Sequence, residues 1–458
     1  MRMATWSFKS KRKATQICYP IAMTLCTIIK NGRVIDPQNN IDTLTDLVLE
    51  DGKVASLGTV ANPNADATVI DATDCIVSPG LIDIHVHFRE PGQEDKETIA
   101  TGAASAVAGG FTSVCVMPNT VPTLDDAGRI DFVYNQSAKA NLANVFPVGA
   151  ITKGRDGKEL AEIGLMAKAG AVGFTDDGCA VASAGVMAKA LRYIQMTGKV
   201  IMQHCEDPEL GGGVMNAGPL ATKLGLKGWP RVAEELIIQR DILLNREVNA
   251  RYHVQHLSSG GSVQMIRRAR EDAWGKAHIT AEASPHHLLL TDESCASYDP
   301  MFKMNPPLRE KADIQAIKQG IKDGVITVLA TDHAPHTNEE KALEFPAASF
   351  GIIGLDCALS LYIKALIEDG TIDWPQMIAM MTCNGAQLCD LHSKGHLSVG
   401  ADADVTIIDP KMTWQIDKEK FASKSRNCPF DGWQVTGRAI TTIVGGDVKF
   451  NLAKDRIK

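Results

Sequence analysis

Between residues 81 and 336 the chain repeats one pattern: a short apolar run, a polar cluster, then a longer amphipathic stretch. The runs are Leu81–Phe88, Phe111–Met117, Asn144–Ile151, Ala171–Thr175, Lys199–Gln203, Arg251–Gln255, His278–Ala283 and Ile326–Ala330. Their nearly continuous apolarity predicts strands buried on both faces, as in a parallel sheet. Helix formers over Glu159–Lys168, Ser183–Thr197, Val232–Asn245 and Ser262–Glu271 fill the gaps. Eight such units in about 260 residues predict an α/β fold of the (β/α)8 TIM-barrel type over 80–394. Outside it the texture changes. Residues 23–79 and 395–458 alternate apolar and polar positions around turn signals such as Asn31-Gly32, Asp51-Gly52 and Gly445-Gly446. Such segments read as β-strands. Bracketing a barrel, they predict one small discontinuous β-sandwich domain built from both chain ends.

Composition narrows this picture. The 458 residues are 45% hydrophobic, enough for a large core without covalent staples. The net charge of −7, with dispersed basic residues, argues against nucleic-acid binding. No apolar segment is long enough to predict a membrane span. The 11 cysteines include no Cys-x-x-Cys and mostly fall in apolar runs, as at Cys26, Cys115, Cys205 and Cys357. Reduced, mostly buried thiols in a cytoplasmic protein are expected. Residues 1–22 differ, with Arg2, Lys9, Lys11, Arg12 and Lys13 and no acid. They read as a disordered basic extension upstream of a start at Met23, with a targeting peptide as the alternative.

Barrel chemistry gathers where strands meet their C-terminal loops. The first run ends in His85-Val-His87-Phe-Arg89, and residues i and i+2 of a strand share a face. Two imidazoles on one apolar strand are costly without a partner, which points to metal. The second run ends at Asn119, a rim amide or an Asx turn. The fourth ends in Asp176-Asp177, of which at most one faces the centre. The fifth and sixth end in His204 and His256, and the eighth in Asp332-His-Ala-Pro-His336. Histidine and carboxylate donors on one rim suit Zn²⁺, with other divalent ions open. By parity His253 should point away from the metal, and His286-His287 read as structural or supporting residues. No phosphate loop, dinucleotide fingerprint or nucleophile elbow competes.

This constellation resembles the amidohydrolase superfamily and, more narrowly, the bacterial type I dihydroorotases. Pro79-Gly-Leu-Ile-Asp-Ile-His-Val-His-Phe-Arg-Glu-Pro-Gly92 is similar to that family's signature. So are Met117-Pro-Asn-Thr120, Phe174-Thr-Asp-Asp-Gly178, Met304-Asn-Pro-Pro-Leu-Arg309, Ala330-Thr-Asp-His-Ala-Pro-His336 and Ser349-Phe-Gly351. The resemblance implies one or two zinc ions, the first on His85, His87 and Asp332. His204 and His256 would hold the second, with Asp177 bridging where many relatives use a modified lysine. It further implies that Asp332 is the catalytic proton carrier. His87, Arg89, Asn119, Asn305, His336, Phe350 and Gly351 would line the substrate. A polar lid is expected over Thr337–Pro346. The implied activity is hydrolysis of dihydroorotate, by a cytoplasmic homodimer able to associate with aspartate transcarbamoylase. The rivals are another cyclic amidohydrolase (dihydropyrimidinase, hydantoinase or allantoinase) and an inactive scaffold for the transcarbamoylase.

Overall fold

The structure, a computed structural model, describes residues 26–61 and 67–455. The basic extension expected over 1–22 lies outside the described residues. Eight short parallel strands follow the predicted runs: β1 (Leu81–Val86), β2 (Phe111–Val116), β3 (Asn144–Pro147), β4 (Gly173–Phe174), β5 (Val200–Gln203), β6 (Arg251–Val254), β7 (Ile279–Ala283) and β8 (Val328–Leu329). Two ladders, β1-β2-β3 and β4-β5-β6-β7-β8, make up the wall. Single parallel bridges, Gly149 to Phe174 and Val86 to His333, join them into a closed barrel.

The strands together feed two cores, and β4, β6 and β7 contribute only to the outer one. Ile82, Cys115, Met117, Val200, Met202 and Val328 come from strands around the wall and meet in one cluster inside the barrel. Val114, Val116, Ile201, Tyr252, Val254, Ile279 and Ala281 pack outward against the helices. Helix starts coincide with short polar side chains that satisfy free backbone N–H groups. Thr98 caps Ile99–Gly109, Asp126 caps Ala127–Ala140 and Ser183 caps Ala184–Gln195.

The terminal segments hydrogen-bond into a single eight-stranded sheet around a core of Ile29, Val34, Leu47, Val77, Val405, Ile407 and Ile443. Its central strand, Ile76–Pro79, is parallel to Cys26–Asp36 and antiparallel to Val405–Gln415. That strand runs through Gly80 into β1, so the sheet sets the approach of the first barrel strand.

Several local expectations change. Only Ile163–Lys168 of the stretch 159–168 is helical. Leu160 bridges Thr152, and the Ala161 N–H donates to the Ile151 carbonyl (2.9 Å), which holds the start extended. The described cysteines are free thiols, and Cys26, in the first strand of the sheet, is half-buried instead of buried. The segment Thr337–Pro346, expected as a lid, is anchored at two points and otherwise mostly exposed. Thr337 caps the short helix Asn338–Lys341, and Lys341 and Phe345 are buried.

Candidate active site

The strand ends deliver their side chains to one point. The β1–β2 register shifts between Asp83 and Val86; His85 falls within that irregularity and His87 just past it, and both turn inward. Nε2 of His85 lies 3.4 Å from Asp177 Oδ1 and 3.5 Å from Asp332 Oδ1. Nε2 of His87 lies 3.0 Å from Asp332 Oδ1 and 3.4 Å from Asp177 Oδ2. From the other side, His204 Nδ1 and His256 Nε2 stand 2.9 Å apart. They lie 3.6 and 3.5 Å from Asp177 Oδ1, so Asp177 sits between two pairs of imidazoles. Asp176 turns away, accepting the backbone N–H groups of Ile151 and Thr152 at 2.9 Å each. All six converging side chains are buried.

Backbone conformation contributes to the aim. Arg89, His256 and Asp332 have φ of 62°, 28° and 51°, in the left-handed region. Such residues cost about 1–3 kcal/mol each and cluster at functional sites. The departure at His256 also explains a corrected expectation. Because β6 ends at Val254, strand parity does not extend to His256, and His253 faces the barrel interior below the cluster. Its Nε2 lies 3.0 Å from Glu282 Oε2, and Oε1 of that carboxylate meets His85.

The donor set fits a divalent cation. His85, His87 and Asp332 form one group of candidate ligand atoms, and His85, Asp177 and His256 another. His87 Nδ1 is 2.9 Å from Asn119 Oδ1, and His204 Nε2 is 3.0 Å from Glu206 Oε2. Those acceptors take the ring protons, which leaves the opposite nitrogen lone pairs facing the cluster. His85 Nε2 and Asp177 Oδ1 are buried without a hydrogen-bond partner, a cost that a cation would remove. Burial alone would raise both carboxylates. The surrounding imidazoles outweigh it, holding Asp332 at about 2 and Asp177 well below the usual range.

Above this centre opens a cavity of about 340 Å³. It is lined by His87, Asp177, His204, His256 and Asp332, with Arg89, Asn119, Asn305, His336, Phe350 and Gly351 around them. His85 lies beneath it. Arg89 is buried, donating from Nε to the Pro335 carbonyl (3.2 Å), and its Nη2 lies 3.5 Å from His336 Nε2. Among the described residues no carboxylate lies within 4.0 Å of its guanidinium. Burial draws it down to about 10, within the range in which it stays charged at neutral pH. Gly351 has φ of 148°, and a Cβ there would stand 2.7 Å from both the Ala334 carbonyl and His336. A larger cleft, about 790 Å³, runs between helix Ile99–Gly109 and Trp414, Phe421 and Phe450 and is lined by none of these imidazoles.

Known proteins resemble this chain in sequence and in fold. A family model described as dihydro-orotase-like matches residues 74–262, and an amidohydrolase family model matches 280–450. A dihydroorotase of Geobacter sp. (strain M21) is 46% identical over 424 residues, 92% of this chain and 99% of that protein. One from Pelotomaculum thermopropionicum is 48% identical over 431 residues, 94% of this chain and 99% of that one. The chain belongs to the dihydroorotase family. Its fold is also that of L-hydantoinase (dihydropyrimidinase) from Arthrobacter aurescens, with a TM-score of 0.82 at 26% identity. That match covers 93% of this chain and 96% of the other. For a dihydroorotase-family chain, the donor groups described above indicate a bound metal.

Three features of this dihydroorotase-family site escape a reading of the sequence. Gln93 and Lys96, in the loop after Arg89, also line the cavity. Glu282 is an acid in an apolar strand, and a buried charge there announces a partner without naming it. Lys303 and Lys341 are each 2% exposed, and among the described residues neither has a carboxylate within 4.0 Å. Burial pulls them down to about 8 and about 7. Instead they hold backbone. Lys303 Nζ donates to the carbonyls of Pro346 (2.8 Å) and Ala348 (2.6 Å) and lies 4.3 Å from the Phe350 ring. Lys341 Nζ donates to Ser349 (3.0 Å) and Gly351 (3.1 Å). Lys341→Met removes the second pair of bonds and is expected to raise KM about tenfold, the cost of one to two net hydrogen bonds. Steady-state kinetics should show kcat and metal content near wild type; a fall in kcat at constant KM contradicts this role.

Proposed function

We propose that the chain catalyses reversible hydrolysis of (S)-dihydroorotate to N-carbamoyl-L-aspartate, a step of de novo pyrimidine synthesis, with zinc as its metal. Arg89 carries this reading. A buried guanidinium with no carboxylate within 4.0 Å among the described residues, facing a cavity beside a metal-ligand cluster, calls for an anionic substrate group. Dihydroorotate brings a carboxylate to a cyclic amide; hydantoin and dihydrouracil bring none. Arginine's planar fork suits a bidentate grip on that group, with Asn119 and His336 beside it. Asn305 and the Phe350-Gly351 backbone are assigned to the ring.

In this reading His85, His87 and Asp332 would hold one zinc, and His204 and His256 a second, with Asp177 beside both groups. Zinc, when bound, would supply Lewis acidity to polarise the amide carbonyl and lower the pKa of water toward ~7. Asp332 moves the proton. Its Oδ1 faces His87 and His85, which leaves Oδ2 to accept a proton from the attacking water and return it to the departing ring nitrogen.

Metal analysis of the purified protein, alongside turnover of dihydroorotate, hydantoin and dihydrouracil, tests the assignment. Faster turnover of either neutral ring overturns it. Asp177→Ala is expected to remove about half or more of the bound zinc, since the carboxylate serves both positions; full retention of zinc would refute the shared role. The reading extends to a barrel domain over 80–394, a β domain from 23–79 and 395–458, and a cytoplasmic homodimer. Association with aspartate transcarbamoylase belongs to it as well, through the family resemblance, and light scattering with and without that enzyme tests both assemblies. The inactive-scaffold alternative is disfavoured because all four imidazoles and both carboxylates are in place.

A further inference from the structure

Glu282 and His253 form a buried pair that the mechanism above does not use. Glu282 stands on β7 and His253 on β6, where His253 is in register with Thr280. His85 stands on β1, with β8 intervening. Contact between β7 and β1 side chains therefore passes through the barrel interior. Glu282 Oε1 lies 2.5 Å from His85 Nδ1 and accepts the backbone N–H of His256 at 3.0 Å. Oε2 lies 3.0 Å from His253 Nε2, and the far nitrogen of His253 is 2.8 Å from Thr280 Oγ1. Glu282 is 1% exposed and His253 fully buried.

Like His87, His85 has conflicted surroundings. Its Nε2 faces two carboxylates, Asp177 and Asp332, which by themselves favour a proton on that nitrogen. A proton there blocks the lone pair a cation needs. A carboxylate against Nδ1 draws the proton to the opposite side and makes Nε2 more basic. The same carboxylate pins the backbone at His256, which stands in the second half of the cluster and has a left-handed φ. His253 occupies the remaining oxygen and aims the carboxylate.

We propose that Glu282, aimed by His253, is a positioning residue that fixes the ligating tautomer of His85 and ties both halves of the metal centre together. The inference rests on the metal reading of the cluster. It places the control of metal affinity on a residue that touches neither cavity nor substrate.

The test uses the full chain stripped of metal and retitrated with Co²⁺ against a chelator, with the visible spectrum recorded. Glu282→Gln preserves shape: its amide oxygen can still accept from His85 and its NH₂ can face His253. It should weaken Co²⁺ binding about tenfold, and Glu282→Leu about 100-fold, the usual range for an outer carboxylate. His253→Asn should weaken binding less than Glu282→Leu and shift the cobalt spectrum in the same direction. Thermal unfolding of the metal-free variants separates lost affinity from lost fold, and Glu282→Gln carries the test if Glu282→Leu does not fold. Wild-type affinity and spectrum in Glu282→Gln, with Glu282→Leu unaffected or unfolded, overturns the proposal alone. Absence of Co²⁺ binding in the wild type overturns the metal reading with it.

Discussion

Asp332→Asn is expected to lower kcat for dihydroorotate by about 10³-fold, within the range for loss of a positioned acid–base group. Asparagine is the informative replacement for two reasons. Residue 332 has φ of 51°, a conformation asparagine tolerates better than most side chains. Its amide oxygen can also keep the 3.0 Å approach to His87 Nε2. What it cannot do is accept and return a proton. Metal content measured on the same preparation distinguishes lost proton transfer from lost ligation. A variant that keeps its metal and its kcat removes Asp332 from the chemistry.

Arg89→Met is expected to lower kcat/KM for dihydroorotate by about 100- to 10,000-fold. Two charge-assisted hydrogen bonds to a carboxylate, each worth about 1.5–3 kcal/mol, set that scale. The loss should fall mainly on KM, because the grip is present before and during reaction. Weak turnover of dihydrouracil should change little, so the preference for the acidic substrate collapses. Arg89→Lys should recover only part of the loss, because a point charge cannot reproduce the fork. Equal losses for acidic and neutral rings would show that Arg89 supports structure instead of binding the carboxylate.

Much of this molecule is legible in its sequence, for identifiable reasons. The eight strands announce themselves because both of their faces are buried, and their apolar runs bracket the observed pairing. His85 and His87 announce themselves because two imidazoles on one strand need a common partner. Asp177 can be separated from Asp176 only once a structure shows which carboxylate turns inward. Parity gives the wrong direction for His253 because it does not extend past the end of β6, where φ at His256 breaks the alternation. Glu282 and the two buried lysines stayed hidden because their partners are distant in sequence: His85 lies 197 residues from Glu282, and Lys303 holds a carbonyl 45 residues away. Local pattern reports that a charge is buried, and only the closed barrel reports against what.

The β-sheet built from both chain ends has a consequence for how the molecule is made. Ile76–Pro79 receives one neighbour from Cys26–Asp36 early, but its other edge belongs to Val405–Gln415, with Ser78 and Thr406 328 residues apart. During synthesis every barrel strand leaves the ribosome before that partner exists. For most of translation the nascent chain therefore carries an open apolar edge next to its first catalytic strand, and such edges invite pairing with other chains. Chains ended by a stop codon shortly before residue 405 should accumulate as aggregates despite encoding every candidate metal ligand, because the stretch that completes the sheet is translated after all of them.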